Sequence, residues 1–239
     1  MSKVDEALDI IREALGRVEN PVIGFSGGKD STVVMDLVRR VDDDVRGVFC
    51  DTGVEWPHTK DYVRSVDNIT TIRNETEETF WSIVKKYGWP QIKGKGSIRV
   101  NRCCNILKDI PMKKHIKSNN MDLTFTGLTM DESRQRMMFL LSNGNKGRIK
   151  WVKSWNVNKA HPIWNWSEKE VWEYIKEHEL EYNDIYKHPI CARRCGCMPC
   201  TAYTPWKRTL AKENPKMLRI IMKMQGQSQM DDYECVGGA

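Results

Sequence analysis

Two groups of residues in this chain have the types and spacing that chemistry needs. The first is the hexapeptide Ser26-Gly27-Gly28-Lys29-Asp30-Ser31, which follows the apolar run PVIGF at 21–25. Consecutive backbone N–H groups can hold a phosphate chain only where no side chain blocks the approach, and at a helix start those groups and the helix dipole both favour an anion. Gly27 and Gly28 meet that need, Ser26 and Ser31 add hydroxyl donors, and Lys29 adds a mobile positive charge. The common nucleotide-triphosphate loop requires GxxxxGK followed by Ser or Thr. Here Asp30 follows Lys29 and Ile23 stands where the first glycine belongs, so this is a different turn.

The second group is cysteine. Cys103 and Cys104 are adjacent, and Cys197 and Cys200 form a CxxC far downstream. A tandem pair is an awkward clamp for one tetrahedral zinc, whose structural sites use two spaced pairs, and it suits a cluster of several irons better. A zinc site and reduced buried thiols are the alternatives. Cys191 and Cys195 lie beside the CxxC; Cys195 could replace Cys197 as a ligand or respond to oxidation, but a small packed thiol is the simpler expectation. Cys50 closes an apolar strand and reads as core.

The elements that must position these groups follow from periodicity. Val4, Leu8, Ile11, Leu15 and Val18 recur at steps of three and four, one apolar face of a first helix. Strands are expected at 21–25, 45–50, 69–72 and 122–128, with helices near 32–40, 57–66, 75–87 and 104–117. WVKSWNV (151–157) reads as one further strand, GNKG (144–147) as an exposed turn, and Ser167 with Glu170 as the capping box of another helix. Trp164, Trp166 and Trp172 are expected in the core. Strands alternating with helices predict an α/β fold, a mostly parallel twisted sheet with helices on both faces, plus a carboxyl-terminal cysteine-rich segment. The expected division is a nucleotide-binding α/β domain over 1–190 and a cysteine-rich cluster segment with a basic tail over 191–239, packed on it.

Composition bounds the rest. The chain has 239 residues, 40% hydrophobic and 29% charged, which excludes a disordered tail protein and predicts no membrane partner. A net charge of +6 favours anionic ligands. The amino-terminal segment mixes acids and bases without the pattern of a signal peptide, and eight cysteines in such a chain imply thiols kept reduced, so a cytoplasmic location is expected.

SGGKDS after an apolar strand resembles the pyrophosphate loop of the N-type ATP pyrophosphatase superfamily. NRCCNILKDIPM and RRCGCMPCT resemble the two halves of the cluster-binding pattern in phosphoadenosine phosphosulfate (PAPS) and adenosine phosphosulfate (APS) reductases, a CC pair followed by Lys, and RxGCxxC. Cys195 takes the position where that pattern usually has an apolar residue. DTGVEWPHT (51–59) is similar to the family's aspartate turn. TGLTMDESRQR (126–136) is similar to its TGLRxxES stretch, with Arg134 in place and Thr129 where Arg is usual.

The resemblance implies a [4Fe–4S] cluster on Cys103, Cys104, Cys197 and Cys200, and nucleotide contacts from Ser26, Gly27, Gly28, Lys29, Asp30, Ser31, Asp51 and Arg194. It also implies that Lys108 links the cluster to the charged end of the substrate. The ending DDYECVGGA shares Glu234 and Cys235 with an ECGLH-like tail but lacks the Gly-Leu-His, and Cys235 is the candidate nucleophile, with Lys108 and Arg134 stabilising charge.

The implied reaction is reduction of an adenylyl sulfate to sulfite by a thioredoxin-like thiol donor. The alternative is an ATP pyrophosphatase that uses Mg²⁺ to adenylate a nucleic acid, tRNA or a DNA backbone, before a sulfur-donor protein supplies sulfur. A homo-oligomer is expected in either case.

Overall fold

The computed structural model describes residues 2–91, 101–142, 148–187, 190, 192–202 and 206–225. Along them run α1 (Lys3–Leu15), β1 (Pro21–Gly24), α2 (Lys29–Arg39), β2 (Gly47–Asp51), α3 (Pro57–Ser65), β3 (Ile69–Arg73) and α4 (Phe80–Tyr87). Next come α5 (Arg102–Cys104), a π-helical turn (Asn105–Asp109), α6 (Ile110–Ser118), β4 (Leu123–Phe125), α7 (Arg134–Leu141), β5 (Ile149–Val152) and β6 (Val157–Ala160). The chain continues through α8 (Glu168–Glu177), a 3₁₀ turn (Asp184–Tyr186), α9 (Trp206–Glu213) and α10 (Pro215–Met224). The expected turn at 144–147, Cys191 and Cys235 lie outside the described residues.

The strands form one sheet in the order β3-β2-β1-β4-β6-β5. All of its pairings are parallel except β5 with β6. Alternation along the strands assigns its two faces. Ile23, Phe25 and Phe49 join buried residues of α1, α2 and α8, including Ile11, Val34, Leu37 and Ile175. Cys50, one residue after Phe49, faces the other way, and its thiol donates to the Leu107 carbonyl of the π-helical turn at 3.3 Å. The expected α/β architecture, with helices on both faces, is therefore the observed one. Trp164 and Trp166 are buried and Trp172, partly buried, packs against the main core, as expected.

The carboxyl-terminal segments share a smaller core. Leu210 of α9 and Leu218, Ile221 and Met222 of α10 bury against Trp56 and Ile185, with Cys195 and Met198 packed alongside. The capping box is present: Ser167 Oγ accepts from the Glu170 N–H at 3.3 Å and the Glu170 carboxylate accepts from the Ser167 N–H at 2.7 Å. No helix among the described residues is long and apolar enough to cross a membrane.

Two expectations need correction. The run at 151–157 is not one strand, because β5 ends at Val152 and β6 starts at Val157 as its antiparallel partner. Asn156 takes φ 51°, a left-handed conformation that asparagine tolerates, so the chain reverses where apolar spacing alone suggested continuity. Helix α2 begins at Lys29, earlier than the apolar pattern indicates, because Gly28 is its N-cap and the glycine turn runs directly into the helix.

His161, just past β6, is 1% exposed; its Nδ1 lies 2.6 Å from Thr126 Oγ1 and its Nε2 has no hydrogen-bond partner among the described residues. Burial, then the nearby Lys159 and Lys150, depress its pKa to about 3. The unfolded chain therefore binds a proton below its ordinary pKa of about 6.5 that the fold rejects, and stability is complete above that pH and is lost as pH falls toward 3. Between pH 6.5 and 5, above most carboxylate titration, urea unfolding should show stability falling by up to about 1.4 kcal/mol per pH unit. In His161→Asn that slope should flatten, whatever the variant's absolute stability.

Candidate active site

Strand order reverses between β1 and β4, and at such a point the loops leaving the two carboxyl ends diverge and open a crevice. The loop after β1 is the glycine turn. Gly27 takes φ 69°, and a Cβ there would press on Thr59 and Val63 of α3. The Ser31 hydroxyl accepts from the N–H groups of Ser26 and Gly28, each at 3.2 Å, and donates to the Gly28 carbonyl at 2.8 Å. Ser31 thus shapes the turn from inside. Asn183, fully buried, braces it from behind by donating to the Gly27 carbonyl and to Thr59 Oγ1, both at 2.9 Å. The first turn of α2 follows at once, with N–H groups that lack intrahelical acceptors.

The loop after β4 meets this turn backbone to backbone. A Cβ on Gly127 would lie 2.7 Å from the Asp30 carbonyl carbon and 2.9 Å from the Ser31 nitrogen. From there the chain runs past Thr129, Asp131 and Ser133 into α7, and these side chains line a cavity of about 760 Å³ together with Ser26, Gly28, Lys29 and Asp30. Lys108, Arg136, Arg194, Cys195 and Tyr186 complete the charged end, while Phe49, Met112 and Trp155 supply apolar surface. Lys29 is buried and its amine pairs with Asp30 at 3.0 Å and with Glu168 at 3.6 Å. Arg136 pairs with Glu132, and burial followed by the neighbouring Arg194 brings its pKa down to about 10.

The thiols converge beside this cavity. Cys103 and Cys104 close the short α5, and Cys197 and Cys200 come from the segment that docks on the β2–α3 turn, where the Met198 N–H donates to the Val54 carbonyl at 2.8 Å. Cys197 Sγ lies 3.4 Å from Thr52 Oγ1. The Cys103 thiol is raised far above its ordinary pKa by its hydrogen bond with Cys104, then by burial and by Cys197 and Cys200. Burial first, with Cys197 and Cys104 adding to it, raises Cys200 as well.

Four such thiols become thiolates together only if a positive group sits among them. Among the described residues, the three-residue set of potential ligand atoms within 4.8 Å of one another is the exposed Asp42, Asp43 and Asp44. Cys103, Cys104, Cys197 and Cys200 lie near enough for each of Cys103 and Cys200 to be raised by others of the four.

Lys108 stands between the thiols and the cavity. Burial opposes its charge, but Cys197, the Glu55 carboxylate and Cys104 outweigh it and raise the pKa of its amine. Glu55 accepts from the Thr52 N–H at 3.1 Å; burial raises its pKa, and it shares a hydrogen bond with Asp51. Asp51 stays ionised despite burial, held low by Glu55, the Gly53 N–H and Arg73.

The structure thus brings Ser26, Gly28, Lys29, Asp30, Lys108 and Arg194 to one cavity and gathers Cys103, Cys104, Cys197 and Cys200 next to it. Gly27, Ser31 and Asp51 are behind that surface and shape it. Arg134 is exposed at the start of α7 and is not among the lining residues; Arg136, two residues further on, is. Sequence reasoning did not single out Gly127, Arg136, Asn183, Tyr186 or Glu55. Only Glu55 had a local signal, as the acid that closes the DTGVE turn.

Residues 20–203 match the phosphoadenosine phosphosulfate reductase domain family, and the chain belongs to that family. It is 30% identical over 185 residues to an adenosine 5'-phosphosulfate reductase of Staphylococcus haemolyticus, covering 76% of this chain and 70% of that one. It is also 33% identical over 222 residues to an uncharacterized protein of Methanocaldococcus jannaschii, covering 88% of this chain but 42% of that protein, so the chain spans less than half of that relative's length. In fold it is similar to a phosphoadenylyl-sulfate reductase of Candida auris, with TM-score 0.60 at 20% identity over 80% of this chain and 88% of that one.

Gly127→Ala should force the two loops apart. We expect a loss of about 1–3 kcal/mol in unfolding free energy from overpacking, and at least a severalfold weaker affinity for AMP by calorimetric titration. Gly28→Val, whose Cβ would fall 2.7 Å from Cys195 Sγ, should weaken AMP binding with the fold intact by circular dichroism.

Proposed function

We propose that this protein reduces an adenylyl sulfate, APS or PAPS, to sulfite with a thiol donor. The observation that supports the reading is one cavity that runs from the amino terminus of α2 to Lys108, with Cys103, Cys104, Cys197 and Cys200 grouped on the far side of that lysine. Kinship with reductases named for APS supports the substrate class.

In this reading the glycine turn and the first turn of α2 receive the anionic end of the substrate, and the apolar wall of Phe49, Met112 and Trp155 receives the nucleoside. As a thiolate attacks the sulfate sulfur, negative charge moves onto the leaving phosphate. Lys29, Lys108, Arg136 and Arg194 are the cations lining the path of that charge, and donors already in place need no reorganisation at the moment of reaction. Cys103, Cys104, Cys197 and Cys200 would hold a [4Fe–4S] cluster, which when bound supplies positive iron to neutralise the thiolates and a cross-link between α5 and the segment at 192–202. Lys108 holds its proton at Nζ beside these sulfurs and presents that charge to the substrate.

Protein purified without oxygen should be brown, with about four irons and four acid-labile sulfides per chain. Serine at any one of the four cysteines should abolish this, while Cys50→Ser should keep it. Stoichiometric zinc without labile sulfide would contradict the assignment. The reaction is tested by anaerobic incubation with APS, PAPS and ATP separately. Sulfite from one of the first two is expected. Pyrophosphate released from ATP only when a nucleic acid and a sulfur donor are supplied would replace the reductase reading with that of an adenylating sulfurtransferase.

A further inference from the structure

We propose that Asp109 is the residue by which this cavity selects adenine, its carboxylate accepting a hydrogen bond from the exocyclic 6-amino group of the base. The inference rests on the placement of the nucleoside against the apolar wall and deepens it by naming what reads the base.

The wall carries an aromatic platform that is held from outside. Trp155, in the turn between β5 and β6, lines the cavity, and two ammonium groups lie over its ring, Lys159 Nζ at 3.5 Å and Lys113 Nζ at 5.2 Å from the centroid. Neither lysine is among the lining residues, so both brace the indole without entering the space a base would take. An indole fixed in this way offers a surface for stacking, but stacking by itself accepts any base because every base has a π-face. Selection needs a polar group at the edge of the stacked ring.

Asp109 is that group. It closes the π-helical turn, lines the cavity together with Met112, and is half-buried. Burial raises its pKa, and Lys113, Lys159 and Lys108 oppose the shift, in that order. The two lysines over Trp155 are thus the two whose charge acts most strongly on Asp109, which puts carboxylate and indole at the same end of the cavity. The adjacent Lys108 serves the other end, its charge supported by Cys197, Glu55 and Cys104.

Neither Lys113 nor Lys159 closes an ion pair with Asp109; among the described residues its carboxylate has no hydrogen-bond or ion-pair partner. A half-buried carboxylate in that position is short of the hydrogen bonds it had in water, and a donor carried by the ligand restores one. An ionised carboxylate only accepts, so the ligand must bring an N–H. Adenine has one at its 6-amino group, where hypoxanthine and guanine carry a carbonyl oxygen that the carboxylate repels.

The test uses the full-length protein, purified anaerobically, and compares two nucleotides by calorimetric titration at neutral pH: AMP, and purine riboside 5′-monophosphate, which lacks only the 6-amino group. The parental protein should bind AMP about tenfold more tightly or better, the scale of one hydrogen bond to a charged acceptor. Asp109→Ala and Asp109→Val should bring the two affinities together, chiefly by weakening AMP. Trp155→Leu should weaken both nucleotides severalfold and keep the parental ratio. Equal parental affinities, a preference for AMP that survives in both Asp109 variants, or unchanged affinities in Trp155→Leu would overturn the proposal. If both Asp109 variants fail to fold, the parental comparison and Trp155→Leu decide. Discrimination by a parental protein that releases no sulfite from APS or PAPS would uphold Asp109 and remove the reductase reading, and sulfite release with equal affinities would do the reverse. Binding of neither nucleotide would overturn the placement of the nucleoside along with the proposal.

Discussion

The arrangement depends on one close approach. The turn after β1 must stay open above its glycines to face an anion, yet it must be rigid, and the loop after β4 supplies the wall that makes it so. Gly127 brings the two backbones together at a distance no Cβ permits. Ser31 within the turn, with Asn183 and Thr59 behind it, satisfies the backbone groups that an open turn would leave unpaired. Without that packing the first turn of α2 would point its N–H groups at a loose loop, and the cations around it would have no fixed target.

Electrostatics then couples the turn to the thiols. Four clustered cysteines, Cys103 buried and the others half-buried, repel one another as thiolates, so together they ionise only beside a positive partner. Lys108 lies at the boundary, its charge supported by Cys197 and Glu55 on one side and open to the cavity on the other. The π-helical turn over Asn105–Asp109 is what delivers it there: a wider turn directly after the tandem cysteines rotates the following residues relative to a regular helix. The acidic turn at Asp51 is settled by Arg73, Lys60 and the Gly53 N–H, and so acts as scaffold for Glu55 and Thr52.

Cys195 is where these two systems touch. Its neighbour two residues on belongs to the thiol group, while its own sulfur sits on the glycine turn.

Much of this was legible in the sequence because it is local. The apolar runs 21–25 and 45–50, the glycine turn, the tandem cysteines and the Ser167 capping box each express preferences of a few adjacent residues, and each was found near its expected place. Gly27 needs a left-handed φ and Ser31 needs to sit four residues after it, and both are properties of the hexapeptide. Tertiary structure decided what distance along the chain conceals. Whether Arg134 or Arg136 faces the cavity depends on the angle at which α7 leaves the β4 loop, and neither residue type nor spacing encodes that angle. Gly127 looks like an ordinary loop glycine until the backbone of Asp30 is placed against it, nearly one hundred residues earlier in the chain. Asn183 and Tyr186 act on the glycine turn only because the segment after α8 folds back over it, and the same fold packs the Cys195 thiol against Gly28, a neighbour that spacing along the chain does not reveal. Backbone conformation is chosen locally, whereas which side chains share a cavity is chosen by how the sheet orders its strands.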